Sequence, residues 1–333
     1  MSHVLSDQDR SAPLAVVLGL LRADAPGRVM GAPEDWPRWA VLLPHVLAAT
    51  GHFEPDPGLR EQPGRPETSW LLDRAATYLQ VHARLSEALP LAERALAIDE
   101  AAYGPDHPTV GIRLSDLATI WQDLGQLERA RPLAERALAI DEAAYGPGHP
   151  DVGTDLNNLA TIWQDLGQLE RARPLAERAL AIAEAAYGPG HPEVGIRLNN
   201  LALIWKDLGQ PEQARPLAEQ ALAIAEAAYG PDHPTVGIRL IHLASIWQDL
   251  GQPERARPLA ERALAIDEAA YGPDHPDVGR DLNNLATIWQ DLGQPEQARP
   301  LAEQALAIAE AAYGPDHPTV RILQANLQSY EDH

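Results

Sequence analysis

The sequence contains no cysteine and only one lysine, Lys206, among its 333 residues. Without cysteine the chain can form no disulfide bond, no thiolate metal site and no cysteine nucleophile. Lys206 lies between Trp205 and Asp207 in a predicted helix, whereas a phosphate-binding Walker loop needs a glycine-rich turn that ends in Gly-Lys-Ser or Gly-Lys-Thr. We therefore exclude a P-loop ATPase within this chain.

Long apolar runs are also missing from the sequence. No stretch approaches the roughly 20 apolar residues that a membrane-spanning helix requires. The polar segment 1–10 and the short apolar stretch 14–21, which Gly19 interrupts, do not form a signal-peptide pattern. The sequence therefore predicts a cytoplasmic bacterial protein.

Acidic residues strongly outnumber basic ones, with 48 Asp and Glu against 26 Lys and Arg and a net charge of −22. A surface this negative repels phosphate backbones and anionic lipids, which argues against nucleic acids and membranes as partners. Neutral or basic proteins and peptides fit the charge better. The hydrophobic content of 45% is sufficient for a packed core.

The dominant feature of the sequence is a 42-residue repeat. Six units are present, preceded by a non-repetitive region at 1–65 and followed by a partial unit at 318–333. The first unit is regular only from Leu89 onward. The units run 66–107, 108–149, 150–191, 192–233, 234–275 and 276–317.

Each unit is predicted to form two helices, which we name helix A and helix B. In 192–233, helix A begins at Pro192, carries apolar residues at i, i+3, i+4 and i+7, and stops at Gly209. Helix B follows from about Pro211 to Tyr229. Because one unit cannot bury its apolar stripe alone, neighbouring units must stack into an all-α solenoid.

The spacing of small and apolar residues within each unit resembles the tetratricopeptide repeat. The 42-residue length and the phrases Leu-Asn-Asn-Leu-Ala and Tyr-Gly-Pro-Asp-His-Pro are similar to the subclass found in kinesin light chains and many bacterial proteins. The resemblance covers 66–317 and implies a right-handed superhelix of antiparallel helix pairs that binds proteins and is not an enzyme. In 192–233 the matching residues are Leu198, Leu201, Ala202, Trp205, Gly209, Ala214, Ala218 and Ala221.

The same resemblance implies that helix A lines a concave groove with its positions 2, 5, 9, 12 and 13, counted so that Leu198 is position 4. At position 5 we expect carboxamides to hold the backbone of an extended peptide, because an amide pairs with both C=O and N–H. The alternative is a hydrogen-bond ladder between repeats, which we expect for the companions Asn158, Asn200 and Asn284. The predicted groove residues are Asn157, Asn199, Asn283, Ile241, Thr161, Leu203, Thr287, Gln164, Lys206, Gln290, Asp165, Asp207 and Asp291.

Two of these groove positions leave alternatives open. Ile241 replaces the asparagine of other units and either forms an apolar pocket for a ligand side chain or reflects drift. The aspartates at position 13 lie near the C-terminus of helix A, where the helix dipole disfavours negative charge. Each aspartate either accepts N–H bonds from the start of helix B or belongs to an acidic ladder along the groove.

The repeated tryptophans and histidines are predicted to be structural. The tryptophans occupy the interior aromatic position of each unit, although a ladder that stacks on a ligand is conceivable. The histidines precede proline in each turn and are spread along the array, which argues against a metal site. We predict no cofactor, no metal and no catalytic group. The residues are Trp121, Trp163, Trp205, Trp247 and Trp289, and His107, His149, His191, His233, His275 and His317.

The region 1–65 is predicted to contain two helices, at 11–23 and 34–50, followed by a Gly/Pro-rich linker. Segment 36–47 resembles the region that joins the ATPase core to the repeats in bacterial NB-ARC (STAND) signalling proteins. A helical cap over the first repeat is compatible with this resemblance. The partial unit 318–333 is predicted to be a capping helix, because Gln324 stands where other units have leucine.

We therefore predict a scaffold that binds a peptide or protein partner in its groove. One alternative is the sensor half of a split NB-ARC signalling system with a separate ATPase partner. Another alternative is a structural repeat protein that assembles with itself.

Overall fold

The computed structural model describes residues 7–30, 35–53, 64–315 and 317–329, and within them it contains fifteen α-helices and no strand. Two helices precede six helix pairs, and one helix follows them. The helices are α1 Asp7–Asp24, α2 Trp36–Gly51, α3 Arg65–Val81, α4 Leu85–Tyr103, α5 Pro108–Asp123, α6 Leu127–Tyr145, α7 Pro150–Asp165, α8 Leu169–Tyr187, α9 Pro192–Asp207, α10 Pro211–Tyr229, α11 Pro234–Asp249, α12 Pro253–Tyr271, α13 Pro276–Asp291, α14 Pro295–Tyr313 and α15 Pro318–Ser329.

The predicted helix pair is confirmed in every unit, with α3, α5, α7, α9, α11 and α13 as A helices and the even-numbered helices α4 to α14 as B helices. The stop signals act as expected. The glycine after each helix A from α5 to α13 has φ between +68° and +71°, and the glycine after each helix B has φ between +83° and +89°. Glycine adopts these angles without the steric cost that other residues meet.

Each turn between repeats is closed by its histidine. The histidine caps the next helix A, and its Nδ1 accepts the backbone N–H two residues ahead at 3.1–3.3 Å. Its ring also stacks on the tyrosine four residues earlier, with centroids 4.5–4.9 Å apart. These contacts satisfy a free N–H at the helix start, which confirms the predicted turn role.

The packing divides the chain into two compact units, 1–175 and 176–333. In the second unit, small residues of helix B such as Ala214, Ala218 and Ala221 are at most 1% exposed and let the helices approach closely. Two of the five repeated tryptophans are buried as predicted for a core position, and Trp121, Trp205 and Trp289 are half-buried. Trp163 and Trp247 are each 8% exposed, and arginines stack on them, with Arg171 4.8 Å from the Trp163 ring.

The flanking helices pack on the repeats. In the first unit α1 and α2 contact α3 and contribute Leu18 and Trp39 to the core, and residues 54–63 of the predicted linker lie outside the described residues. In the second unit α15 buries Leu323 against α14 and exposes Gln324. The capping role of these helices stays a prediction. Among the described helices, none combines the length and apolarity needed to cross a membrane.

Candidate partner-binding face of the A helices

The exposed side chains of each helix A lie at positions 2, 6, 9 and 13, counting from the glycine at 111, 153, 195, 237 or 279. In α9 these are Ile196, Asn200, Leu203 and Asp207, which are exposed or half-buried, whereas Asn199 at position 5 is 2% exposed. The spacing i, i+4, i+7, i+11 defines one side of a helix. We call this side, which recurs in α5, α7, α11 and α13, the open face.

Position 5 lies beside the open face and not on it. Asn157, Asn199 and Ile241 are 5%, 2% and 9% exposed, and Asn283 is half-buried. Position 5 thus lies nearer to the neighbouring helix than expected, because one residue turns a helix by about 100°, and the role of these side chains in a groove stays a prediction. Ile241 belongs to the apolar core of the second unit.

Side chains at positions 5 and 6 form a ladder between successive A helices. In three places a position 6 side chain bonds the position 5 side chain of the preceding repeat, which is the kind of contact that the sequence left open as the alternative for the asparagines. Asn284 lacks a polar partner of this kind, because the preceding repeat has Ile241 at position 5. Burial, followed by the charges of Arg239, Arg280 and Lys206, lowers the pKa of His242 to about 3 and keeps this ring neutral. The bonds join Asn158 Nδ2 to Ser115 Oγ (3.0 Å), His242 Nδ1 to Asn199 Oδ1 (2.9 Å) and Asn326 Nδ2 to Asn283 Oδ1 (3.0 Å).

A second ladder joins positions 12 and 13. The position 12 glutamine donates to the position 13 aspartate of the next repeat, so these carboxylates are bonded across repeats, and the N-cap residues of helices B make no side-chain cap bond at Gln126, Gln210, Gln252 or Gln294. The carboxylates remain exposed as an acidic row. Partial burial and the neighbouring Asp165 raise the pKa of Asp123. The bonds are Gln80 to Asp123 (2.6 Å), Gln122 to Asp165 (2.6 Å) and Gln248 to Asp291 (2.7 Å).

The remaining predicted residues lie on or beside the open face. Lys206 replaces the position 12 glutamine of other repeats, and its Nζ lies 3.7 Å from Asp207 Oδ1. Gln164 and Gln290 at the same position are half-buried. At position 9, Thr161 and Thr287 donate to their own helix backbones, and Leu203 supplies a half-buried apolar side chain.

A set of buried charges at position 3 was not predicted from the sequence. This position faces the helix B that precedes it, and we call each contact between a helix B and the following helix A a seam. Position 3 is 0–9% exposed although it is always arginine or aspartate. The available signal was a charged residue between the glycine and the leucine of each unit, in Gly-Ile-Arg-Leu at 111, 195 and 237, Gly-Thr-Asp-Leu at 153 and Gly-Arg-Asp-Leu at 279. The residues are Arg113, Asp155, Arg197, Arg239 and Asp281.

The seams differ in how they neutralise this charge. In the α4–α5 seam, Arg113 lies 2.9 Å from both Asp73 and Asp99, and Ser69 donates to Asp99. In the α12–α13 seam two carboxyl groups, Asp267 and Asp281, meet instead. Burial and the charge of Asp267 raise the pKa of Asp281 to about 8, and burial likewise raises that of Asp267 to about 6.

The α6–α7 seam repeats the carboxyl pair in the first unit. Burial and the charge of Asp141 raise the pKa of Asp155 to about 7, while Ser115 donates to Asp155 at 3.0 Å. Two carboxylates in one buried site cannot both ionise without strong repulsion. Each pair therefore holds a proton near neutral pH.

Comparisons with known proteins agree with the repeat architecture. The sequence profile described as the tetratricopeptide repeat matches residues 67–143, 114–184, 156–227, 198–269, 238–311 and 282–327. No curated protein sequence matches the chain. Since the profile begins at residue 67, the resemblance of 36–47 to NB-ARC proteins and the ATPase partner stay predictions.

Solved structures include two kinesin-light-chain-like repeat proteins. BtubC (BKLC) from P. vanneervenii is 25% identical over 71% of this chain and 92% of that chain, with a TM-score of 0.53. A putative kinesin light chain from Podosopora anserina with nearly identical TPR-like repeats is 28% identical over 60% of this chain and 95% of that chain, with a TM-score of 0.48.

The same fold occurs at much lower identity in a Rap protein whose structure was solved in complex with competence and sporulation factor. It is 13% identical over 97% of this chain and 98% of that chain, with a TM-score of 0.58. The profile matches six overlapping segments, and the described residues contain six tandem helix pairs. Both observations identify the family. The chain belongs to the tetratricopeptide repeat family.

Proposed function

We propose that the chain is a protein-interaction scaffold whose open face binds an extended segment of a neutral or basic partner. The observation that carries this proposal is the row of exposed aspartates at position 13, which recurs on successive A helices. Tetratricopeptide repeats generally serve as protein-interaction scaffolds, and the acidic row gives this one a charge preference. In the second unit the row consists of Asp207, Asp249 and Asp291.

The spacing of this row suits an extended chain. Neighbouring helices pack about 8–10 Å apart. An extended segment in the polyproline II conformation rises about 3.1 Å per residue and has three residues per turn, so every third side chain points to the same side. About three residues of a bound segment therefore span one repeat. A partner with a basic residue at every third position would place one cation at each aspartate of the row.

The opposite edge of the open face has a different character. Position 2 carries Ile196 and Ile238, of which Ile238 is 39% exposed, whereas Arg280 occupies this position in α13. Leu203 adds an apolar side chain between the two edges. We infer that the partner segment is amphipathic, with basic side chains along one edge and apolar side chains along the other.

The test uses a synthetic peptide with lysine at every third position and alanine between, alongside the same peptide with glutamate in place of lysine. The variant Asp207→Asn/Asp249→Asn/Asp291→Asn should bind the lysine peptide about tenfold more weakly, since each exposed ion pair contributes about 0.2–1 kcal/mol. Asparagine keeps an acceptor for the position 12 glutamine. Isothermal titration calorimetry at low salt measures the affinity.

The matched control changes the same charge on the B helices. Glu212, Glu254 and Glu296 are exposed in the first turns of α10, α12 and α14, and their triple change to glutamine should leave the affinity within about twofold. If both triple variants weakened binding of the lysine peptide equally, the effect would come from net charge and not from the aspartate row. Tight binding of the glutamate peptide would contradict the proposal.

A further inference from the structure

Three repeats carry a buried arginine at position 3, and their counterions differ. Arg113 has Asp73 and Asp99, and Arg197 lies 3.1 Å from Glu193. Arg239 has neither arrangement. The residue four positions before it is Thr235, whereas Arg197 has Glu193 there. The residue fourteen positions before it is Ala225, whereas Arg113 has Asp99 there. Within the described part of the chain, no carboxylate forms an ion pair with Arg239, although its side chain is only 9% exposed.

A small cavity lies beside this arginine, between α9, α10 and α11. It has a volume of about 10 Å³, and Gly195, Ala225, Tyr229 and Thr235 line it together with Arg239. A cavity of this size holds about one water molecule. Tyr229 is 38% exposed, so the cavity lies close to the surface.

Two other repeats show which chemical group occupies the equivalent location. A methyl group added to Gly111 would lie 2.9 Å from Asp141 Oδ1, and one added to Gly237 would lie 3.0 Å from Asp267 Oδ1. The carboxyl groups of those two aspartates therefore rest against the position 1 glycine. Gly195 is the equivalent glycine in α9, and Ala225 of α10 stands where those two repeats have the aspartate. Both residues line the cavity, which therefore lies where the other two repeats hold a carboxyl group.

We propose that Arg239 and this cavity form a binding site for a carboxylate that comes from outside the chain. A guanidinium presents paired N–H donors that match the two oxygens of a carboxylate. Thr235, in the first turn of α11, adds a hydroxyl donor and lies at the positive end of that helix. Ile196 of the open face also lines the cavity, but the site does not depend on the aspartate row that carries the proposed function.

The electrostatics of the seam favour an incoming anion. Burial lowers the pKa of Arg239 to about 10, which leaves the guanidinium charged at neutral pH. A buried charge without a counterion is costly, and a hydrogen-bonded carboxylate offsets that cost. The carboxylate could be a free small acid or an acidic side chain of a bound protein, and both sources present the same chemistry to Arg239.

The test measures the melting temperature of the full chain during titration with sodium acetate at pH 7. Binding to the folded state should raise the melting temperature of the wild type in a saturable way. Arg239→Met should lose this rise because it lacks the cation. Ala225→Asp should lose it because it carries its own carboxylate, as Asp99 does, and should melt higher than the wild type without acetate. General salt effects are equal in all three proteins and cancel.

Further arms identify the class and source of the ligand. Sodium chloride should give less than half the acetate shift, and an equal shift would overturn the choice of a carboxylate. A blocked Gly-Gly-Glu-Gly-Gly peptide that binds at least tenfold tighter than acetate, while its glutamine analogue does not bind, supports a protein source; tighter binding of acetate supports a free acid. The same melting response in wild type, Arg239→Met and Ala225→Asp would overturn the site itself.

Discussion

The α4–α5 and α12–α13 seams begin with the same twelve residues and end in opposite electrostatic states. Residues 97–108 and 265–276 both read Ala-Ile-Asp-Glu-Ala-Ala-Tyr-Gly-Pro-Asp-His-Pro. The aspartate of this segment pairs with Arg113 in the first seam and meets Asp281 in the second. One residue on the following helix therefore decides whether the buried charge is neutralised by an ion pair or by a proton.

The two seams show that the repeat tolerates either solution without changing its backbone. Helix bounds, capping histidine and glycine turns are the same around both seams. The difference lies in the conditions that each seam requires. An ion pair is insensitive to pH near neutrality, whereas a pair of carboxyl groups needs a proton to remain buried.

The largest effect is expected from breaking the ion-paired seam. Arg113→Met leaves Asp73 and Asp99 buried without their shared cation, although Asp73 keeps Arg74. Loss of one partner of a buried pair costs about 3–5 kcal/mol. Urea unfolding at pH 7 measures this loss. The matched variant Arg239→Met removes an arginine without a carboxylate and should not lower stability; similar losses in both variants would show that packing alone is responsible.

The carboxyl seam should make stability depend on pH. The folded pKa values of Asp267 and Asp281, about 6 and about 8, lie above the ordinary value of 3.8, so the folded state holds more protons between these limits. The contribution of this pair to stability is then complete below about pH 4 and is lost as the pH rises toward 8. Asp277, Arg280 and Tyr271 also face this pair and shift the midpoint.

The variant Asp281→Asn isolates this effect. It should raise stability at pH 8 by several kcal/mol, since the shift of Asp281 from 3.8 to about 8 is about four pKa units at about 1.4 kcal/mol each, and it should flatten the pH profile between 5 and 8. Thermal melts across this range measure the slope. An unchanged slope in the variant would contradict a proton-dependent seam.

The smallest effect concerns the ladder beside the open face. Asn199→Ala removes the acceptor for His242 and should cost about 1 kcal/mol, because it leaves a half-buried ring nitrogen unpaired. Asn199 is buried, so the change should not alter the affinity for the lysine peptide by more than about twofold. If Asn199→Ala weakened peptide binding and left stability unchanged, Asn199 would contact the peptide instead of supporting the ladder.

Most of the fold could be predicted from the sequence because its determinants are local. Proline at the start of helices A, glycine after every helix and apolar residues at helical spacing predicted α9 and α10 nearly to the residue. The Tyr-His-Pro turn likewise depends on residues within a few positions of one another. Because the same signals recur in six units, the helix positions could be assigned with less ambiguity than from a single unit.

The candidate site could be predicted only in part. The predicted groove positions 2, 9 and 13 are exposed or half-buried in the structure, whereas position 5 is buried in three of the four cases and position 6 is half-buried. The two positions differ by about 100° on the helix, and the sequence shows a pair of asparagines at both. Which amide is buried depends on the tilt of each helix against the next one.

The sequence by itself determined the helices, their ends, the repeat unit and the excess of negative charge, since these follow from local backbone preferences and composition. Tertiary structure decided which charges meet. Arg113 and Asp99 are 14 residues apart on different helices, and so are Asp281 and Asp267, yet only packing brings either pair together. The cavity at Arg239 arises in the same way, because an alanine on α10 and a threonine on α11 leave one buried arginine without the carboxylate that other repeats supply.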